Sequence, residues 1–388
     1  MSHKAHYGRF LSWLGERLHF AAHSHHPWPD LTRDAHLAAW DDAAALRDDK
    51  WKVVFAKVVP EAQRWIAETL RLPDPEAIAF APNTHEFVAR LLSCLPQDRP
   101  PRVLTTDSEF HSFARQLARL EEDGAKVERV PVEPFHSFVP RFRAAAGKGG
   151  HDLVYFSQCF FNSGLRLSDD GLAELSQAAP SPALVVIDGY HGFMAAPTDL
   201  SKACGRAFYL AGGYKYAQAG EGACFMVVPP GSSQRPRDTG WFADFAALEG
   251  EIRAPVGYGE GGRRFWGATF DPSGLYRLNA VMRWRAETGL TVEKSDSHAR
   301  TLQRRFLTKL SERPRGPLSK EALVSADLSQ VGHFLTFRVP GAPALCERLA
   351  RDCRVLADAR ADRLRFGFGL YQDGADVDEL FRRLDALG

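Results

Sequence analysis

Asp188 closes the apolar run Leu184-Val185-Val186-Ile187 and is followed by Gly189-Tyr190-His191-Gly192, while Lys215 stands in Gly212-Gly213-Tyr214-Lys215-Tyr216, just after the apolar stretch Ala207–Leu210. Both read as strand ends. Ligands of an open α/β sheet gather beyond the carboxyl ends of its strands, so the acid and the lysine share one working edge. A lysine amine set among glycines and tyrosines can reach an aldehyde while the backbone passes close by. Pyridoxal 5'-phosphate (PLP) offers that aldehyde, and its pyridine nitrogen stays protonated only against a carboxylate such as Asp188. The phosphate needs a cradle of its own. Pro82-Asn83-Thr84-His85 closes a short strand and opens a helix, so backbone N–H groups and the Thr84 hydroxyl would face a bound anion. Taken singly these residues have ordinary explanations: a surface lysine, a turn acid before glycine, a helix cap. Their common place at strand ends, in an order that suits one cofactor, favours the joint reading.

The elements that must hold these residues follow from the pattern of the chain. Arg33 to Leu72 reads as a helical lead-in that stops at Pro73 and Pro75. Strands are expected at Ala77–Phe80, Arg102–Thr105, Val127–Val130, Leu153–Phe156 and Leu184–Asp188, with helices at His85–Cys94, Phe113–Glu122 and Asp170–Gln177 between them. A hairpin-like pair, Ala207–Leu210 and Gly222–Val228, follows. Beyond Asp271 come helices at Leu275–Glu287, Ser297–Glu312 and Ala344–Asp352 with strands at His333–Val339 and Leu364–Phe368. The expected fold class is α/β: a mostly parallel, helix-covered sheet in a large domain over 30–270, and a smaller α+β domain over 271–388 joined by the N-terminal residues 1–29.

Composition narrows the function classes. With 49 basic and 48 acidic side chains in 388 residues the formal charge is +1, so there is no basic footprint for nucleic acid. A mean hydropathy of −0.28 and the lack of a sufficiently long apolar run argue against a membrane span. The first fifteen residues show no secretory pattern, so a cytoplasmic location is expected. Six cysteines without CxxC pairing indicate neither a disulfide scaffold nor zinc. The His23-Ser24-His25-His26 cluster lacks an acidic or thiol partner nearby, so no metal is expected there, and His25 is read as facing the substrate.

With these residues in place, the chain resembles a fold-type-I PLP enzyme of the class V aminotransferase group, and within it kynureninase. The resemblance rests on Asp188-x-x-His191, on Tyr214-Lys215-Tyr216 with the Ala219-Gly220-Glu221-Gly222 turn, and on Gly240-Trp241-Phe242. It runs from His19-Phe20-Ala21 to Leu370-Tyr371. It implies that Lys215 forms the Schiff base, Asp188 holds the pyridinium, His191 lies near the cofactor, and Asn83, Thr84 and Tyr214 bind phosphate. Either Phe110 or His111 would stack on the ring. Thr269 would reach the phosphate site, and Trp241 the substrate pocket, of a neighbouring subunit, which implies a homodimer with shared sites. A late arginine would take the substrate carboxylate; Arg365 is the choice over Arg363 and Arg360. The segments around Ala22-His23-Ser24 and Thr269-Phe270-Asp271 depart from the kynureninase pattern, so substrate recognition is expected to differ.

The activity so implied is kynureninase-like: an L-amino acid bound as an aldimine, its α-proton lost to Lys215, and hydrolysis of the Cβ–Cγ bond of a γ-keto side chain. The alternative is an aminotransferase that passes the amino group to a keto acid. A cysteine desulfurase-like lyase and a PLP-binding protein without turnover rank lower, the lyase because Cys346 and Cys353 read as helix residues.

Overall fold

The computed structural model describes residues 2–245, 255–312 and 317–385. Its centre is a seven-stranded sheet built from β1 (Ile78–Ala81), β2 (Arg102–Thr106), β3 (Lys126–Val130), β4 (Leu153–Ser157), β5 (Leu184–Asp188), β6 (Phe208–Gly212) and β7 (Cys224–Val227), in the order β1-β7-β6-β5-β4-β2-β3. Strands β2 to β6 run parallel, and β7 is antiparallel to both β6 and β1. This is the mixed, mostly parallel α/β sheet expected from the sequence. Strands β4 and β6 are buried throughout, as continuous runs such as Leu153-Val154-Tyr155-Phe156 require when helices cover both faces. The edge strand β3 stays mostly exposed and carries Lys126, Glu128 and Arg129, charges that discourage further pairing.

The register does the positioning. Ser157 pairs with Asp188 across β4 and β5, and Asp188 pairs with Leu210 across β5 and β6. The ends of β4 and β5 therefore deliver their side chains to one edge, and the turn after β6 brings Lys215 to the same place.

A second sheet has three antiparallel strands, β8 (Phe334–Arg338), β9 (Asp358–Arg360) and β10 (Arg363–Gly367), ordered β9-β10-β8. The N-terminal segment joins this half: Leu18–His19 forms a separate two-stranded parallel sheet with Val355–Leu356, and Ala21 bridges to Gly367 of β10. That pairing carries residues 19–26 toward the C-terminal half of the chain. Helices Leu31–Leu46 and Ser273–Glu287 meet across the expected boundary near Phe270, where the Tyr276 hydroxyl donates to Asp42 Oδ2 at 2.7 Å. We propose the division into 30–270 and 271–388 with 1–29 on the change from the parallel to the antiparallel sheet.

The helices expected over the lead-in are Leu31–Leu46, Lys50–Val53 and Val59–Leu70, with a wide π turn at Val54–Val58 between the last two. The polar run Arg47-Asp48-Asp49-Lys50 offers no apolar residue to continue the buried stripe, and Arg47 takes φ 52°. Three helices went unread, Gly8–Leu14, Phe138–Gly147 and Gly374–Leu384. The last two have a helical signature: Phe138, Phe142, Ala145 and Ala146 are buried on one face, and Asp373 with Asp376 forms a capping box. No helix among the described residues is long and apolar enough to cross a membrane.

Candidate active site

A cavity of about 500 Å³ opens at this sheet edge, and its lining joins residues from distant parts of the chain: Asn83 and Thr84, Phe110, Asp188 and His191, Tyr214 and Lys215, and Arg365. At its floor, Asp188 accepts the Tyr190 backbone N–H at Oδ1 (2.9 Å) and the Tyr155 hydroxyl at Oδ2 (3.0 Å). Burial raises its pKa, opposed by the Tyr190 N–H, the nearby Lys215 charge and the Tyr155 bond. The next residue must be glycine: a Cβ at Gly189 would lie 1.9 Å from Tyr209 Cζ. The chain can thus turn sharply after β5 and leave the carboxylate facing the cavity.

Lys215 follows β6 in a compact turn in which the Ala219 N–H donates to the Gly213 carbonyl at 2.8 Å and Gly220 takes φ 72°. Its amine touches His191 Nε2 and lies 5.0 Å from the Tyr190 ring centre and 5.7 Å from that of Phe110. Burial pulls its pKa down to about 7, with Asp188 opposing and Arg365 adding to the fall. An amine that is substantially neutral near neutral pH is a nucleophile and a base. His191 is held well below its ordinary range by burial and the Lys215 charge, so its imidazole is neutral, and Nε2 also lies 3.2 Å from the His23 carbonyl.

Across the cavity, Asn83 caps the helix Thr84–Leu92 by accepting the Glu86 N–H at 3.1 Å. That helix end contributes its free N–H groups and the Thr84 side chain to the cavity rim. Phe110 presents its ring to the cavity and is 44% exposed. His111 does not line it; as the first residue of the helix His111–Glu122 it turns against Phe161, 4.9 Å between ring centres. Tyr214 lines the cavity, and its hydroxyl is 2.9 Å from His25 Nδ1. His25 itself stands outside, stacked on Phe10; of the His23, His25 and His26 cluster the one that lines the cavity is His23, beside Ser24.

Arg365 lies in β10 and is only 3% exposed. One guanidinium nitrogen donates to Asp358 Oδ2, another to the Phe161 carbonyl, while Nε has no partner. Strand pairing sets Asp358 opposite Arg365, and Arg360 reaches the other oxygen of Asp358 at 3.0 Å. His23 Nε2 is 3.5 Å from Asp358 Oδ2, and its ring stacks on Phe334 at 4.5 Å. Burial works to raise the Asp358 pKa, but His23, Arg365 and Arg360 outweigh it and hold the carboxyl at about 2. The competing Arg363 pairs instead with Glu133 and Asp362, away from the cavity.

Trp241 and Thr269 lie apart from this cavity. Trp241 lines an apolar cavity with Trp51, Phe55 and Phe242, and Thr269 a small one with Arg90 and Gly240. Among the described residues no group of three metal-ligating side chains converges. Sequence reasoning did not single out Asp358, Phe161 or Glu109. The hairpin spacing from Asp358 to Arg365 was a readable signal for the first; nothing in the sequence distinguishes Phe161 from a core aromatic.

The donor set fits PLP. A poised amine, a carboxylate whose oxygens each accept one bond and keep a second lone pair for a ring N–H, a helix N-terminus for phosphate and an aromatic ring all face one space.

Comparisons agree with this assignment. Residues 47–380 match the family described as aminotransferase class-V. Among solved structures, the chain is similar to a lysine-to-alanine mutant of C-DES with glycine covalently linked to its PLP cofactor: TM-score 0.82, 19% identity, covering 99% of both chains. It is also similar to a complex of the cystine C–S lyase C-DES with cysteine persulfide, with TM-score 0.79, 19% identity and coverage of 96% of this chain and 98% of the other. The cysteine desulfurase CsdA from Escherichia coli gives TM-score 0.76 and 16% identity over 99% of this chain and 96% of its own. No curated protein matches the sequence.

Proposed function

Because the chain belongs to the class-V aminotransferase family of PLP-dependent enzymes, we propose that it acts on an L-α-amino acid and breaks a bond within its side chain, with Lys215 as cofactor-bearing lysine and proton-transfer base. The observation that carries this is the buried Lys215 amine, set against neutral His191 and sharing one cavity with Asp188 and Arg365.

When bound, PLP supplies an electron sink for the charge that develops at Cα. The rest is done by the protein. Asp188 would hold the proton on the ring nitrogen. Asn83, Thr84 and Tyr214 would hold the phosphate, and Phe110 would pack against the ring face. Arg365 would take the α-carboxylate, which orients the Cα–H bond toward Lys215 Nζ. Lys215 would remove that proton and return it later in the reaction, with the neutral His191 imidazole beside it.

The finer reading is kynureninase-like hydrolysis of a Cβ–Cγ bond. It is supported by the Asp188-x-x-His191, Tyr214-Lys215-Tyr216 and Gly240-Trp241-Phe242 segments, and by the aromatic walls Phe110, Phe161 and Tyr190. The solved structures described above are the cystine C–S lyase C-DES, twice, and one cysteine desulfurase, and they lend kynureninase no support. A C–S lyase reaction is therefore the second reading, favoured by one observation. Cys159 is the cysteine that lines the cavity, and burial pushes its thiol up to about 12. Cys346 and Cys353 do not line it. Sulfur would then leave by elimination from the substrate and not by transfer to an enzyme cysteine. We further propose a homodimer in which Trp241 and Thr269 serve the partner's site, and a cytoplasmic location.

Incubating PLP-loaded protein with L-kynurenine, with L-cystine, and with an amino donor plus a keto acid separates these readings. Anthranilate marks the hydrolase, and persulfide with pyruvate marks the lyase. A new amino acid formed from the added keto acid, without either, marks a transaminase. Lys215→Ala should abolish the lysine-bound absorbance band and lower turnover by at least about a thousandfold. A band that survives Lys215→Ala would refute the assignment.

A further inference from the structure

Behind Ser157, which lines the cavity, lies a second acid to which the proposed function gives no role. Glu109 is 6% exposed and precedes Phe110 in the loop after β2. Its Oε1 accepts the Thr106 hydroxyl at 2.6 Å and the Ser157 N–H at 3.2 Å, and its Oε2 accepts the Ser157 hydroxyl at 2.5 Å. These partners are neutral. Ser157 lines the cavity, and its register partner on β5 is Asp188. Two carboxyl groups, Asp188 at the end of β5 and Glu109 in the loop after β2, thus serve the same end of the cavity, one through Tyr155 and the Tyr190 N–H, the other through Ser157 and Thr106.

Buried carboxyls close to one another do not readily ionise together, since each negative charge raises the cost of the other. We propose that Glu109 is a positioning residue for the cofactor ring: in the apoprotein it retains a proton on Oε2, donated to a Ser157 hydroxyl turned to accept it, and releases that proton to solvent when a protonated pyridine nitrogen settles against Asp188, whereupon the hydroxyl donates to the new carboxylate. The assignment rests on the cavity being the PLP site. Atoms and charge balance: one proton leaves Glu109, no bond is oxidised or reduced, and the new carboxylate supplements Asp188 in stabilising the pyridinium.

The electrostatics agree with the geometry. Burial drives the Glu109 pKa up to about 7, the Ser157 and Thr106 bonds oppose this, and the Asp188 charge adds to the rise. The other titratable group bearing on it is the Tyr155 phenol, which burial holds neutral. A cation on the ring lowers the pKa of both acids. A proton that leaves on binding makes affinity for the cationic ring rise with pH up to about 7 and level off above it.

Pyridoxamine phosphate is the probe, because it has an amine in place of the aldehyde and forms no Schiff base with Lys215. It is titrated into wild-type apoprotein and Glu109→Gln between about pH 6 and about pH 8, by calorimetry in two buffers of different ionisation enthalpy. The wild-type affinity should rise at least about threefold more than that of the variant across this range, and wild type should release more protons per site bound. Equal pH slopes and equal proton release would overturn the role of Glu109 while leaving the cofactor site standing. No binding by the wild type at any pH would overturn the site and this proposal together. Should Glu109→Gln fail to fold, infrared difference spectroscopy of the wild type decides. A protonated-carboxyl band lost on binding supports the proposal, and its absence overturns it.

Discussion

Lys215 is buried beside groups that do not compensate its charge fully, and that has a kinetic consequence. Only the neutral amine attacks an aldehyde, so the rate of PLP capture by apoprotein follows the neutral fraction of Lys215. With the pKa lowered to about 7, that fraction climbs about tenfold per pH unit below neutrality and saturates above it. Stopped-flow absorbance should show this plateau; an ordinary lysine would keep gaining up to about pH 10. Asp358 makes a second test at this scale. It touches Arg365, Arg360 and His23 at once, so Asp358→Ala should loosen the carboxylate site and raise KM about tenfold, with kcat affected less. Asp358→Asn should recover part of the loss. Lys215, Asp188 and Asn83 were legible in the sequence because strand-end placement follows from local pattern. The choice among His23, His25 and His26 was not, because an irregular segment has no period to say which ring points inward. Its pairing with β10 decides that: a Cβ at Gly367 would sit 2.4 Å from His23 Nδ1, so the ring is packed directly onto that strand.

At the scale of elements, the site depends on where β5 stops. Asp188 is the last strand residue, and the chain turns at once because Gly189 leaves room for the Tyr209 ring. That ring in turn donates its hydroxyl to Gln158 Oε1 at 2.8 Å, just beyond the end of β4. Gly189→Ala forces a methyl into this space, and no flexible side-chain tip is there to yield. It should cost about 1–3 kcal/mol, the usual range for overpacking, read as a lower midpoint in thermal melts. Because the displaced backbone carries Asp188, PLP affinity should fall as well; a variant that melts like wild type and binds PLP normally would contradict the argument. The sheet itself was largely readable, since alternation of apolar runs with helical periods specifies parallel pairing. The lead-in was readable as helices but not where one gives way to the next, because no Pro or Gly punctuates Arg47 to Val58.

For the whole molecule, the informative residues are those the fold does not bring to its own cavity. Trp241 is 43% and Phe245 40% exposed, over an apolar wall of Trp51, Phe55 and Phe242. Exposed aromatic clusters of this kind mark contact surfaces. We expect this face to meet a second copy of the chain, with Trp241 and Thr269 completing the partner's site. Sedimentation should give twice the 43.1 kDa of the chain, and replacing both Trp241 and Phe245 with Glu should shift it toward monomer. Sharing can be tested separately from association. Lys215→Ala removes the chemistry of a chain's own site, whereas Trp241→Ala damages only the site of its partner. A mixed dimer then has one site with both defects and one with neither. Random mixing makes half the dimers mixed, each with one intact site of two, so mixing the two inactive variants should restore about one quarter of wild-type activity. If each chain instead used only its own Trp241, every site would keep one defect, and mixing would restore nothing.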